Sequence, residues 1–78
     1  MKLPRNITAR KFVNAMLRDG FRFVRQKGSH QTYWHRDGRT VTVIFHHSGE
    51  TFRTGTLKGM IQDDGWTEAD MRRLKLLK

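Results

Sequence analysis

The chain has no cysteine, a single proline, a single tyrosine and only seven acidic residues in 78. Without cysteine there can be neither a disulfide nor a thiolate metal site, and a chain of this composition suits a reducing compartment. Domains of this size bury only about 60% of the surface that their unfolded chains expose. With no covalent staple available, the core must hold by side-chain packing alone. Long apolar runs are missing too. None exceeds three residues, as in Val43-Ile44-Phe45, whereas a membrane-spanning helix needs roughly 20. Nothing reads as a signal peptide, an internal repeat or a low-complexity stretch. The expectation is one soluble cytoplasmic domain over residues 1–78, with no membrane association.

The scarcity of acids leaves a net charge of +9, and the excess is lopsided. Residues 1–39 carry ten Lys and Arg against two Asp (+8), and residues 40–78 carry six against five (+1). A basic field concentrated on half of a small domain attracts polyanions, nucleic acid first among them, by neutralising phosphates and releasing counterions. An acidic protein partner would answer the same field.

Thr8 is placed to cap a helix, with Ile7 and Phe12 as the flanking apolar pair. Phe12, Val13, Met16 and Leu17 repeat at helical spacing, and Gly20 marks the end. Phe21–Gln26 is rich in strand formers. Two further runs, Gln31–Arg36 and Arg39–Phe45, flank Asp37-Gly38, a strong hairpin signal. The three strands predict one antiparallel sheet with a single apolar face. A polar loop spans His46–Arg53, and a helix runs from Thr56 to Asp64 with Leu57, Met60 and Ile61 inward. Gly65 ends that helix, and Thr67 to Asp70 opens a last one with Met71, Leu74 and Leu77 inward. The fold class is therefore α+β: an α-β-β-β-α order plus a short C-terminal helix, with the helices on one sheet face, an order shared with the double-stranded-RNA-binding domain. Phe12, Met16, Phe21, Phe23, Leu57, Met60 and Ile61 are the candidate core.

The chain contains Gly20-Phe21, then Arg25-Gln26-Lys27-Gly28-Ser29-His30-Gln31-Thr32-Tyr33, then Asp37-Gly38-Arg39 with Val41-Thr42-Val43. His47, Gly49 and a helix-opening Gly55-Thr56-Leu57 follow. In this order and spacing they strongly resemble the HicA family of messenger-RNA interferase toxins, from Lys2-Leu3-Pro4 to the final helix. Ser48, where the family often has proline, and Trp34, at a site usually polar, depart from the pattern. The resemblance implies the toxin of a type II toxin–antitoxin pair, an endoribonuclease acting on mRNA without metal or small-molecule cofactor. It also implies that a HicB-like antitoxin silences the toxin, and that the catalytic residue is His30.

The residues themselves suit that chemistry. An imidazole takes or gives a proton near neutral pH. In the simplest scheme, the ribose 2′-hydroxyl attacks the adjacent phosphate and His30 serves as general base or general acid. Arg25 and Lys27 are the nearest cations in sequence to stabilise the phosphate, Gly28 permits a tight turn, and Ser29 is a hydrogen-bond donor. Taken without the family pattern, His30 reads more readily as an ordinary strand histidine bonded to backbone than as a catalytic group. With a two-residue turn at Asp37-Gly38, His30 lies opposite Phe45 on the apolar face; a loop one residue longer sends it to the other face. Tyr33 and Trp34 point to opposite faces, so one packs while the other can stack on an RNA base, and Tyr33 joins the candidate RNA-binding set. His35, His46, His47 and Glu50 match no recurrent metal-ligand spacing. The competing reading is a non-catalytic, double-stranded-RNA-binding-like module.

Overall fold

A computed structural model describes residues 2–78. Helix α1 (Ala9–Arg18) starts where Thr8 accepts the Lys11 N–H on its hydroxyl, 3.1 Å away, while Ile7 and Phe12 are both buried as the apolar pair across the cap. At the other end the Phe21 N–H donates to the Met16 carbonyl and the Gly20 N–H to that of Leu17, a Schellman closure, with Met16 and Phe21 both in the core. The buried stripe of α1 is Ala9, Phe12, Ala15 and Met16, and Leu17, expected inward, is 48% exposed.

Three strands follow: β1 (Arg22–Lys27), β2 (His30–Trp34) and β3 (Thr40–Ile44), antiparallel and in sequence order. The β1–β2 connection is the two-residue turn Gly28-Ser29, since Lys27 pairs with His30. Gly28 takes φ +59° there, a conformation that L side chains rarely adopt.

The β2–β3 connection corrects the sequence expectation. The His35 N–H donates to the Arg39 carbonyl at 2.9 Å, so the loop is the three residues Arg36-Asp37-Gly38, with Gly38 at φ +101°. Side chains select this longer loop. The Asp37 carboxylate accepts the Arg39 N–H at 3.1 Å, and His35 Nδ1 accepts the Asp37 N–H at 3.1 Å. Register shifts by one. Tyr33 pairs with Val41 and Gln31 with Val43 on the inner face; His30 pairs with Ile44, Thr32 with Thr42 and Trp34 with Thr40 on the outer face. His30 is therefore opposite Ile44, not Phe45, and off the apolar face.

Helices α2 (Thr54–Asp64) and α3 (Glu68–Arg73) complete the element order. The second begins two residues earlier than the sequence suggested, and Gly65 ends it in the left-handed region. The third carries a full capping box, in which the Thr67 hydroxyl accepts the Asp70 N–H and the Asp70 carboxylate accepts the Thr67 N–H. The α2 helix packs over β3, and the core gathers Phe12, Met16, Phe21, Tyr33, Val41, Val43, Leu57, Ile61, Trp66, Met71 and Leu74. Leu76 is buried more completely than Leu77. Every residue of β1, an edge strand, is exposed. Phe23, expected in the core, is 53% exposed there, and its ring forms a T-shaped pair with that of Tyr33, 5.8 Å between centroids.

A polar cluster ties α1 to the C-terminal helices. The Asp19 carboxylate accepts Trp66 Nε1 at 2.8 Å, Arg73 at 2.8 Å and Arg39 at 3.3 Å. Burial alone would push its pKa up, but the Trp66 and Arg73 hydrogen bonds and the Arg39 and Arg73 charges outweigh that and hold it below the usual carboxylate range. Arg39 also lies over the Phe21 ring and donates to the Asp64 carbonyl. His35 Nε2 contacts the Asp19 carbonyl at 2.9 Å, which makes this histidine a strut between β2 and α1.

Candidate active site

One face of the sheet is packed under helices, and the other is open. On the open face β2 presents His30, Thr32 and Trp34, and the strand pairing sets Lys27 beside His30, Arg25 beside Thr32 and Arg22 beside Trp34. Simple alternation along β1 would put Arg22 on the face opposite to Arg25 and Lys27. The register slips between Phe23 and Arg25, leaving Val24 as the extra residue of a β-bulge. Beyond the bulge the alternation restarts, and all three cations line up on the face of His30.

Arg25, Lys27, Gly28, His30, Thr32 and Thr42 line a shallow cleft of about 690 Å³ on this face. None of the three strands carries an acidic residue, so no carboxylate answers these cations within the sheet. The arrangement places one imidazole between a row of positive charge on β1 and a row of hydroxyl and apolar side chains (Thr40, Thr42, Ile44) on β3. Such a surface can hold a phosphodiester against the cations and bring a proton-transfer group to it.

The structure thus brings together four of the six residues proposed from sequence: His30, Arg25, Lys27 and Gly28. Ser29 shares their turn, and its carbonyl accepts the Phe45 N–H at 3.1 Å. Tyr33 is the correction. Only 3% exposed, it lies on the inner face with its ring in the core and offers no surface for a base. Burial raises its phenol pKa. Its contribution reaches the site from beneath. The Tyr33 hydroxyl donates to Gln31 Oε1 at 2.6 Å, Gln31 approaches Gln26 Oε1 at 3.5 Å, and Gln26 Nε2 donates to the Gly28 carbonyl at 3.0 Å. This chain braces the turn that carries His30.

The remaining histidines stand apart from this chemistry. His35 is engaged with Asp19 and Asp37. His46 and His47 lie in the loop after β3, where backbone hydrogen bonds from both residues to Glu50, the first of them from His46, hold its carboxyl below the usual range. Among the described residues no three His, Asp or Glu side chains converge closely enough to hold a metal ion. Arg22 and Thr42 were not foreseen on the face of His30. The bulge puts Arg22 there and the three-residue loop puts Thr42 there, and neither announces itself in the composition of the strands.

The family model described as HicA toxin of bacterial toxin–antitoxin matches residues 9–66, from the start of α1 to Trp66. The chain belongs to the HicA toxin family. Its assignment as the toxin of a toxin–antitoxin system follows from that membership. No curated protein matches it. The matched span contains the whole sheet, both hairpin turns and the cleft, so the part of this HicA-family toxin that defines the family also carries the candidate site. No helix of the described residues is long and apolar enough to cross a membrane.

Proposed function

We propose that this toxin is an endoribonuclease that cuts mRNA on the open face of its sheet, with His30 as the proton-transfer group. The observation that carries the reading is the position of His30 in a cleft whose two charged neighbours, Arg25 and Lys27, are both cations. The cations bind the scissile phosphate and stabilise the charge that builds on it. The 2′-hydroxyl of the preceding ribose attacks the phosphorus, and the 5′-oxygen of the next nucleotide leaves. His30 either takes the proton from the 2′-hydroxyl or delivers one to the leaving oxygen, a contribution of about 10²- to 10⁴-fold in rate. Gly28 and Ser29 form the tight turn between Lys27 and His30. A HicB-like antitoxin silences the enzyme by covering this face, and a basic surface favours an acidic partner.

The scheme dictates its products. Fragments should end in a 2′,3′-cyclic phosphate and begin with a 5′-hydroxyl, and an mRNA fragment made entirely with 2′-O-methyl ribose should resist the enzyme. End analysis of a cleaved transcript checks both. A 5′-phosphate at the new ends would refute attack by the 2′-hydroxyl. Purified toxin that is free of antitoxin, binds RNA and never cuts it would instead leave a non-catalytic RNA-binding module.

A further inference from the structure

The cleft around His30 occupies only one end of the open sheet face. At the other end, Gly20, Arg22, Trp34 and Arg36 surround a separate hollow of about 240 Å³. Trp34 is 42% exposed, whereas the other tryptophan, Trp66, is buried. A large aromatic side chain standing bare between two arginines, on a face that no helix covers, contributes nothing to the core. Trp34 and His30 are four residues apart on one face of β2, a separation of about 13 Å along the strand.

We propose that Trp34, flanked by Arg22 and Arg36, is a base-stacking subsite and that the open sheet face is a track for single-stranded RNA running from His30 to Trp34. The proposal rests on the reading of this face as the one that cuts RNA. Charge and shape both select the occupant. Arg22, Arg25 and Lys27 form a continuous row along β1, each beside a residue of the His30–Thr32–Trp34 line. The opposite flank, Thr40, Thr42 and Ile44, is neutral. A strand lying along the sheet puts its phosphates over β1 and turns its bases toward β2 and β3, where the indole meets one of them. Stacking requires an unpaired base with its π-face accessible, which a duplex does not offer except at its ends. The surface therefore separates single-stranded from double-stranded RNA, although the order of elements alone suggests the duplex. The bulge at Val24 is the device that makes the track, because without it Arg22 would leave the row.

The probe is a fluorescein-labelled, mixed-sequence single-stranded RNA with 2′-O-methyl ribose throughout. It keeps phosphates and bases but cannot be cut by 2′-hydroxyl attack, so binding is read whether or not the protein is a nuclease. Trp34→Ala should weaken binding about 5- to 100-fold, and Trp34→Phe should recover most of that loss. Binding should quench the indole fluorescence of the wild type but not of Trp34→Phe, in which only Trp66 remains. Arg22→Ala should reduce the slope of log affinity against log salt by about 0.7, the increment for one phosphate on a single strand. The same RNA annealed to its complement should bind more weakly. Unchanged affinity in Trp34→Ala, equal or tighter duplex binding, or quenching of the indole by polyglutamate but not by RNA would each overturn the track. A wild type that binds with these signatures yet never cuts natural RNA would remove the nuclease reading and leave the track standing.

Discussion

Asp64 is the residue whose replacement should change the stability of this domain most sharply with pH. It is fully buried at the end of α2, and neither of its carboxylate oxygens has a hydrogen-bond partner among the described residues. Burial, with the nearby Asp19 and Asp63 charges adding to it and Arg39 opposing it, pushes its pKa from 3.8 to about 8. Below pH 3.8 the group is protonated in both the folded and the unfolded chain and has no effect on the balance. Between 3.8 and about 8 the unfolded chain releases the proton while the folded one keeps it, so stability falls as pH rises; above about 8 the penalty is constant. Each pH unit in that window is worth ~1.4 kcal/mol, which makes the penalty on the order of 4 kcal/mol at pH 7. Asp64→Asn carries no charge at any pH and removes this dependence. Thermal melts of both proteins from pH 4 to 8 should show curves that diverge. The advantage of the variant should grow between pH 4 and 7 by at least ~10 °C, given about 4–8 °C per kcal/mol for a domain of this size. The carboxylates held low by partners, Asp19 among them, act equally in both proteins and cancel in the difference. Parallel melting curves would refute the assignment of Asp64 as a neutral, unpartnered buried acid.

Asp19 behaves in the opposite sense. Its lowered pKa gives stability that is present above the ordinary carboxylate range and lost as pH falls through the folded value, so Asp19→Asn should be less acid-sensitive than wild type. At neutral pH, Asp19→Ala leaves Trp66 Nε1, Arg39 and Arg73 without their shared acceptor and should lower stability by about 3 kcal/mol in denaturant titrations. Gly28→Ala meets no atom within 4 Å, so its effect is conformational: a loss of about 1–2 kcal/mol for the positive φ, together with slower RNA cleavage as the His30 turn relaxes. The toxin–antitoxin complex should weaken as salt rises in a titration of its dissociation constant, and a salt-independent affinity would point to a mainly apolar interface.

The order of elements was legible because the strongest local signals agree with the tertiary result. Thr8 caps, Gly20 and Gly65 terminate, and Val41 and Val43 alternate with Thr40 and Thr42 as a half-buried strand must. The face of His30 was not legible. It depends on whether Asp37-Gly38 makes a two- or a three-residue loop, and that choice is made by the side chains of His35 and Asp37 reaching backbone N–H groups. Because the side-chain period of a strand is two, one residue of loop inverts the whole of β2, burying Tyr33 and exposing Trp34. The cation row was hidden for a related reason, since the spacing of Arg22, Arg25 and Lys27 fits one face only across a bulge. Leu17 and Phe23 looked like core by periodicity, but β1 is an edge strand exposed along its whole length and the α1 stripe runs through Ala9 and Ala15 instead.

Proton transfer by His30 on this face is the central proposal. Cleavage of an mRNA transcript by wild type and by His30→Ala, with melting temperature and affinity for uncleavable RNA measured in parallel, tests it directly. Cleavage should slow about 10²- to 10⁴-fold with folding and RNA affinity retained, because the side chain is exposed and the cations of β1 remain. Undiminished cleavage by His30→Ala would contradict it.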